Sequence, residues 1–141
     1  MEDQKLYGNF SQEEMERYTE EARQRWGQTE AFQQSQERLK KMGKDGLGRV
    51  LEKSRKLTEE IARCLRSGEK PTGDKTQQLI AKHYDGLRAF YEPNPQMYRG
   101  LAEMYVADDR FKTNYENVAK GLAQFMHDAM MAYCDAQENK Q

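Results

Sequence analysis

The apolar residues of this chain are spread so unevenly that only one part of it can build a core. Between Met1 and Gly43, 12 of 43 residues are apolar (Ala, Val, Ile, Leu, Met, Phe, Trp, Tyr or Cys), whereas between Leu79 and Cys134 the count is 30 of 56. With 33% of all residues charged and a mean hydropathy of −1.15, the apolar groups must be concentrated for a core to exist at all. A chain of 141 residues forms one such core rather than two. The expectation is a single domain over 1–141, with 74–137 supplying the core and 1–43 forming a thinly apolar lid. The cluster Ser67-Gly68-Glu69-Lys70-Pro71-Thr72-Gly73 is the clearest loop in the chain, and a subdomain hinge is expected there.

Valine and isoleucine are scarce, and Glu, Gln, Lys, Arg, Ala and Met dominate, so the fold class is all-α. A first helix opens on the capping-box pattern Ser11-Gln12-Glu13-Glu14, presents Met15, Tyr18, Ala22 and Trp26, and stops at Gly27. A second, from about Thr29, shows Phe32, Leu39 and Met42 on a narrow face. A third, from about Asp45 to Ser67, offers Leu47, Val50, Leu51, Leu57, Ile61 and Leu65, with Gly68 as its C-cap. Beyond the loop the faces broaden. Leu79, Ile80, His83, Tyr84, Leu87, Phe90 and Tyr91 fill one helix face, and Pro93-Asn94-Pro95 turns the chain, with Asn94 as N-cap and Pro95 at N1. The next helix carries Met97, Tyr98, Leu101, Met104 and Tyr105. A short element capped by Asp108 brings Phe111 and Tyr115 inward, and a last helix sets Val118, Leu122, Phe125, Met126, Ala129, Met130 and Tyr133 on one side.

A formal charge of −1, from 23 Lys+Arg against 24 Asp+Glu, is no electrostatic footprint for nucleic acid. No run approaches the roughly 20 apolar residues of a membrane helix and no signal peptide opens the chain, so a soluble, cytosolic protein is expected. Cys64 and Cys134 stand alone and read as packing residues; neither they nor the two histidines have metal-ligand spacing. GxSxG, P-loop, dinucleotide and HExxH signatures are missing. The string Gly43-Lys44-Asp45-Gly46-Leu47-Gly48 imitates a phosphate loop without the strand before it or the Gly-Lys-Ser/Thr ending. The chain therefore reads as a non-enzyme with no cofactor.

The broad helices lean on tyrosine and methionine, 8 of each in the chain, rather than on Leu, Ile and Val. Methionine repacks cheaply and tyrosine joins an apolar face to a polar tip, so such surfaces accept varied, flat, partly polar ligands; a plain helical core with outward tyrosine hydroxyls is the other reading. His83, in the middle of the most apolar face, suits ligand contact or a structural bond to a tyrosine or carbonyl better than catalysis. His127, off the broad face and beside Asp128, is expected in solvent.

The segments Tyr7-Gly8-Asn9-Phe10-Ser11-Gln12-Glu13-Glu14 and Glu21-Ala22-Arg23-Gln24-Arg25-Trp26-Gly27-Gln28-Thr29-Glu30-Ala31-Phe32 are the first part of a family pattern. Gly100-Leu101-Ala102-Glu103-Met104-Tyr105-Val106-Ala107-Asp108-Asp109-Arg110-Phe111 and Gly121-Leu122-Ala123-Gln124-Phe125-Met126-His127-Asp128-Ala129 continue it. In order and spacing the chain resembles the TipAS antibiotic-recognition domain over nearly its whole length. The resemblance implies an all-helical, globin-like fold whose cleft binds thiopeptides or other bulky hydrophobic antibiotics. It also implies a link to a MerR-type DNA-binding domain, for which such domains serve as the drug sensor, or a free-standing form that sequesters drug. Some thiopeptide binders of the family capture the ligand with a cysteine just before the Leu-x-Glu-x-Tyr motif; here that position is Gly100, so covalent capture there is not available. The tryptophan often found after the family's middle acidic residue is Leu47.

The resulting expectation is reversible capture of a small-molecule antibiotic, with His83, Leu87, Phe90, Tyr91, Met97, Tyr98, Leu101 and Tyr105 lining a cleft. Trp26 and Phe32 join from a mobile lid, and Phe111 sits at the margin. A helical protein-interaction or dimerisation module is the competing class, and a haem protein using His83 a third.

Overall fold

The computed structural model describes residues 17, 20, 21, 24, 27 and 29–139. The capping box at Ser11 and the stripe Met15, Tyr18, Ala22 and Trp26 lie outside the described residues. Among the described residues there is no strand, and the named helices are α1 (Glu30–Arg66), α2 (Asp74–Gly86), α3 (Pro95–Ala107), α4 (Asp109–Val118) and α5 (Leu122–Asn139). A 3-10 turn, Leu87–Ala89, lies between α2 and α3. The fold is all-α, and no described helix is long and apolar enough to cross a membrane.

The helix ends follow from local chemistry. Thr29 caps α1, its hydroxyl accepting from the Phe32 N–H at 3.2 Å. Gly43, at φ 71 and ψ 177, holds a backbone conformation that side-chain-bearing residues avoid, and it interrupts α1 where the two expected helices meet. The rest of the glycine string Gly43–Gly48 is helical, not a phosphate loop. Gly68, at φ 83, ends α1 in a Schellman motif: its N–H donates to the Leu65 carbonyl at 3.2 Å and the Glu69 N–H to the Cys64 carbonyl at 2.9 Å. Asn94 Oδ1 accepts from Met97 N at 2.8 Å ahead of Pro95. Asp108 closes α3 through its N–H and opens α4 through its carboxylate, which accepts from Arg110 N at 2.9 Å.

The chain makes two compact units, Met1–Arg55 with Leu87–Glu92, and Lys56–Gly86 with Pro93–Gln141. The first division falls inside α1, between Arg55 and Lys56. The hinge expected at 67–73 is not at that loop, which lies wholly in the second unit. Gln77 is the physical reason: its Nε2 donates to the Pro71 carbonyl at 2.8 Å and to the Ala129 carbonyl at 3.0 Å, fastening the loop to α5. A second expectation also needs correction. Phe90 and Tyr91 are not on the helix face of His83, because α2 stops at Gly86. The chain then tightens so that both the Phe90 and Tyr91 N–H groups donate to the Leu87 carbonyl, at 2.8 and 3.0 Å. Pro93 just beyond disfavours helix at Glu92.

Among the described residues, the buried apolar core belongs to the second unit, with Ile61, Ile80, Leu122, Met126, Met130 and Cys134 all at 0% exposure. Helix α5 packs against α2, α3 and α4. Its N-terminus is fixed by Glu116 of α4, whose two carboxylate oxygens accept from Gly121 N at 2.9 Å and Ala123 N at 3.1 Å. These bonds hold the Glu116 carboxyl below its usual pKa.

Candidate functional site

Four helices of the second unit send rings to a common belt: His83 and Tyr84 from α2, Tyr98 and Tyr105 from α3, Phe111 and Tyr115 from α4, and Tyr133 from α5. Tyr98 and Tyr105 stand seven residues apart, two turns along one face of α3, and His83 sits between them. Tyr84 meets Tyr98 edge to face, with centroids 5.0 Å apart at 89°, and Tyr133 closes that end at 5.2 Å from Tyr84 and 5.9 Å from Tyr98. At the other end Tyr105 lies 5.6 Å from Phe111 and 4.7 Å from Tyr115. Offset and edge-on arrangements of this kind add attraction beyond the area they bury.

A polar thread runs through the belt. His83 Nδ1 is 2.6 Å from the Tyr98 hydroxyl and Nε2 is 3.4 Å from the Tyr105 hydroxyl. Burial lowers the His83 pKa to about 4, so the ring is neutral at pH 7, one nitrogen donating and the other accepting. Burial also pushes the Tyr115 phenol up to about 12, against a hydrogen bond from Tyr105 that acts the other way. The thread is therefore a set of uncharged donors and acceptors inside an aromatic wall. It suits holding a flat organic molecule with a few polar groups.

The positions expected from the sequence divide between the units. His83, Met97, Tyr98, Leu101, Tyr105 and Phe111 are in the second; Phe32, Leu87, Phe90 and Tyr91 are in the first; Trp26 lies outside the described residues. Of the second-unit group, Tyr98 is 1% and Tyr105 5% exposed, whereas His83, Met97, Leu101 and Phe111 are half-buried and reach the surface. Tyr84, Tyr115 and Tyr133 complete the belt, although the sequence marks them only as core residues. Their helical spacing gave no sign that they would meet rings of other helices. Gly100 is exposed, and a Cβ added there would meet nothing within 4 Å.

Elsewhere the cysteines, His127 and Arg99 make packing contacts and bonds within or between helices. Cys134 is buried, donates to the Pro95 carbonyl at 3.4 Å, and has its thiol pKa raised chiefly by burial; Cys64 is buried and free. His127 is half-buried rather than fully solvated, its Nδ1 2.9 Å from Asp128. Arg99 of α3 grips α5 through Asp135 at 2.7 Å and Glu138 at 2.6 Å. Among the described residues no three His, Cys, Asp or Glu gather to hold a metal ion.

The family model of the TipAS antibiotic-recognition domain matches residues 18–133. The HTH-type transcriptional activator TipA of Streptomyces coelicolor is 32% identical over 128 residues, covering 90% of this chain and 49% of that protein. The HTH-type transcriptional activator mta of Bacillus subtilis is 26% identical over 129 residues, covering 91% and 49%. The chain thus spans about half the length of the curated relatives it matches. Among solved structures, that of TipAS from Streptomyces lividans in complex with nosiheptide has a TM-score of 0.83 at 31% identity, covering 94% of this chain and 91% of that one.

Proposed function

The chain belongs to the TipAS antibiotic-recognition domain family, and on that premise we propose that it binds bulky, ring-rich antibiotics of the thiopeptide kind, reversibly and without altering them. The observation that carries this reading is the belt of tyrosines around a neutral His83. Half-buried Met97, Leu101 and Phe111 would offer the ligand apolar and aromatic contact, while Tyr98 and Tyr105 hold the His83 ring in place. Leu87, Phe90, Tyr91 and Phe32 of the first unit, with Trp26 outside the described residues, rest on the sequence expectation alone. Gly100 leaves noncovalent capture as the mode of binding there.

The start of α1 presents only a narrow apolar stripe, Phe32, Leu39 and Met42, each half-buried. At about 1.5–3 kcal/mol per fully buried side chain against roughly 1–2 kcal/mol per residue for fixing the backbone, a bound apolar ligand would supply surface that this helical stretch lacks. The activator names of the relatives, each about twice this length, support a role as the drug-reading part of a cytoplasmic transcriptional regulator, with DNA contact made elsewhere.

Thermal unfolding with and without nosiheptide tests the reading. A ligand at 100 times its dissociation constant adds about 2.7 kcal/mol to the folded state, enough to raise the Tm of a domain this size by several degrees. No shift with nosiheptide or any of a panel of other planar, ring-rich antibiotics would sink it.

A further inference from the structure

We propose that Gln34 and Arg38 are positioning residues, a clasp through which the opening turns of α1 set the conformation of the distant segment Leu87–Glu92. The two stand four residues apart on one face of α1, and each reaches the main chain of that segment. Arg38 Nη1 donates to the Arg88 carbonyl at 2.6 Å, and Gln34 Oε1 accepts from the Glu92 N–H at 2.9 Å. Gln34 has its amide oriented for the task, since Nε2 donates to Glu30 Oε2 at 3.3 Å and leaves the oxygen facing Glu92.

The segment is a short link between two helices. It follows the end of α2 at Gly86 and stops short of Pro93, and its own backbone bonds both converge on the Leu87 carbonyl. The Arg88–Glu92 ion pair, 2.9 Å long, joins two side chains about half exposed, a kind of pair that fixes a backbone poorly. A single isolated turn is unfavourable to nucleate. Because the clasp grips main-chain atoms near both ends, it fixes the backbone from which Leu87, Phe90 and Tyr91 project, whatever their side chains. The same grouping appears in the division of the chain, where Leu87–Glu92 belongs with the residues up to Arg55 and not with the helices on either side of it. The consequence for ligand rests on the antibiotic-binding reading: the three side chains are correctly presented only when the start of α1 is helical.

Amide hydrogen exchange on the full chain, followed residue by residue without ligand, tests the clasp. Methionine keeps length and helix propensity while removing the polar atoms. Gln34→Met is expected to speed exchange at the Glu92 amide roughly fivefold, the size of one lost hydrogen bond, and Arg38→Met to speed exchange at Phe90 and Tyr91. Arg38→Lys, which keeps a donor, is expected to restore most of the protection, and amides in α3, α4 and α5 to stay as in the parent. Unchanged exchange at Glu92 in Gln34→Met would overturn the proposal, and so would a loss spread evenly over all the helices. No drug is used, so failure to bind nosiheptide would sink the functional reading and leave the clasp standing.

Discussion

The two units are built from the same helical backbone and differ in how they are filled. In the second, Ile80, Leu122, Met126 and Met130 are fully buried. In the first, Phe32, Leu39, Met42, Leu47, Val50 and Leu51 are each only half-buried. Ordering a residue costs about the same in either place, whereas the return scales with the apolar area removed from water. The width of the apolar stripe therefore separates a unit that holds itself together from one that gains from a further surface. Local opening is accordingly expected to be easier in the first unit than in the second.

Truncation is the most direct way to break this comparison. Met126→Ala or Met130→Ala is expected to cost roughly 2–5 kcal/mol in urea unfolding, and Leu39→Ala less than about 1 kcal/mol. Equal costs would show the first unit to be as tightly filled as the second.

Acid probes the second unit alone, through His83. Its folded pKa lies near 4, below the ordinary value of 6.5, so between those two pH values the unfolded chain binds a proton that the folded one refuses. Stability from this group is complete above about pH 6.5 and falls as the pH drops toward 4, by on the order of 3 kcal/mol. From urea titrations, the stability lost between pH 6.5 and 4 should be greater in the parent than in His83→Gln by about this total. Parallel curves would mean that the ring is solvated and the polar thread open.

The smallest effect sharpens the picture of α3. Gly100 is exposed in the helix with open space around its Cα, so Gly100→Ala should stabilise the chain by about 0.5–1 kcal/mol, read as a rise in the urea midpoint. Destabilisation would mean that the site tolerates no side chain, which would bear on why a cysteine is not found there.

Much of the fold was legible because it is local. Thr29, Gly68, Asn94 with Pro95, and Asp108 each act within four residues, on groups that their neighbours in sequence leave unpaired. The richness of the later helices in rings was equally plain. The belt itself is only half legible: the sequence points to His83, Tyr98, Tyr105 and Phe111 but not to Tyr84, Tyr115 and Tyr133, since spacing along one helix does not say which ring of another helix it will face. Phe90 and Tyr91 kept helical spacing past the point where the helix had ended.

By itself the sequence determined the all-α class, the caps at Thr29, Gly68, Asn94 and Asp108, and the family, because caps and motif spacing are written in consecutive residues. Tertiary structure alone decided that the chain divides within α1 rather than at 67–73, and that Leu87–Glu92 joins residues far upstream. It alone decided as well that His83 spends both ring nitrogens on tyrosines. Those outcomes depend on bonds such as Arg38 to Arg88 and Gln77 to Ala129, whose partners are about fifty residues apart and meet only once helices have packed.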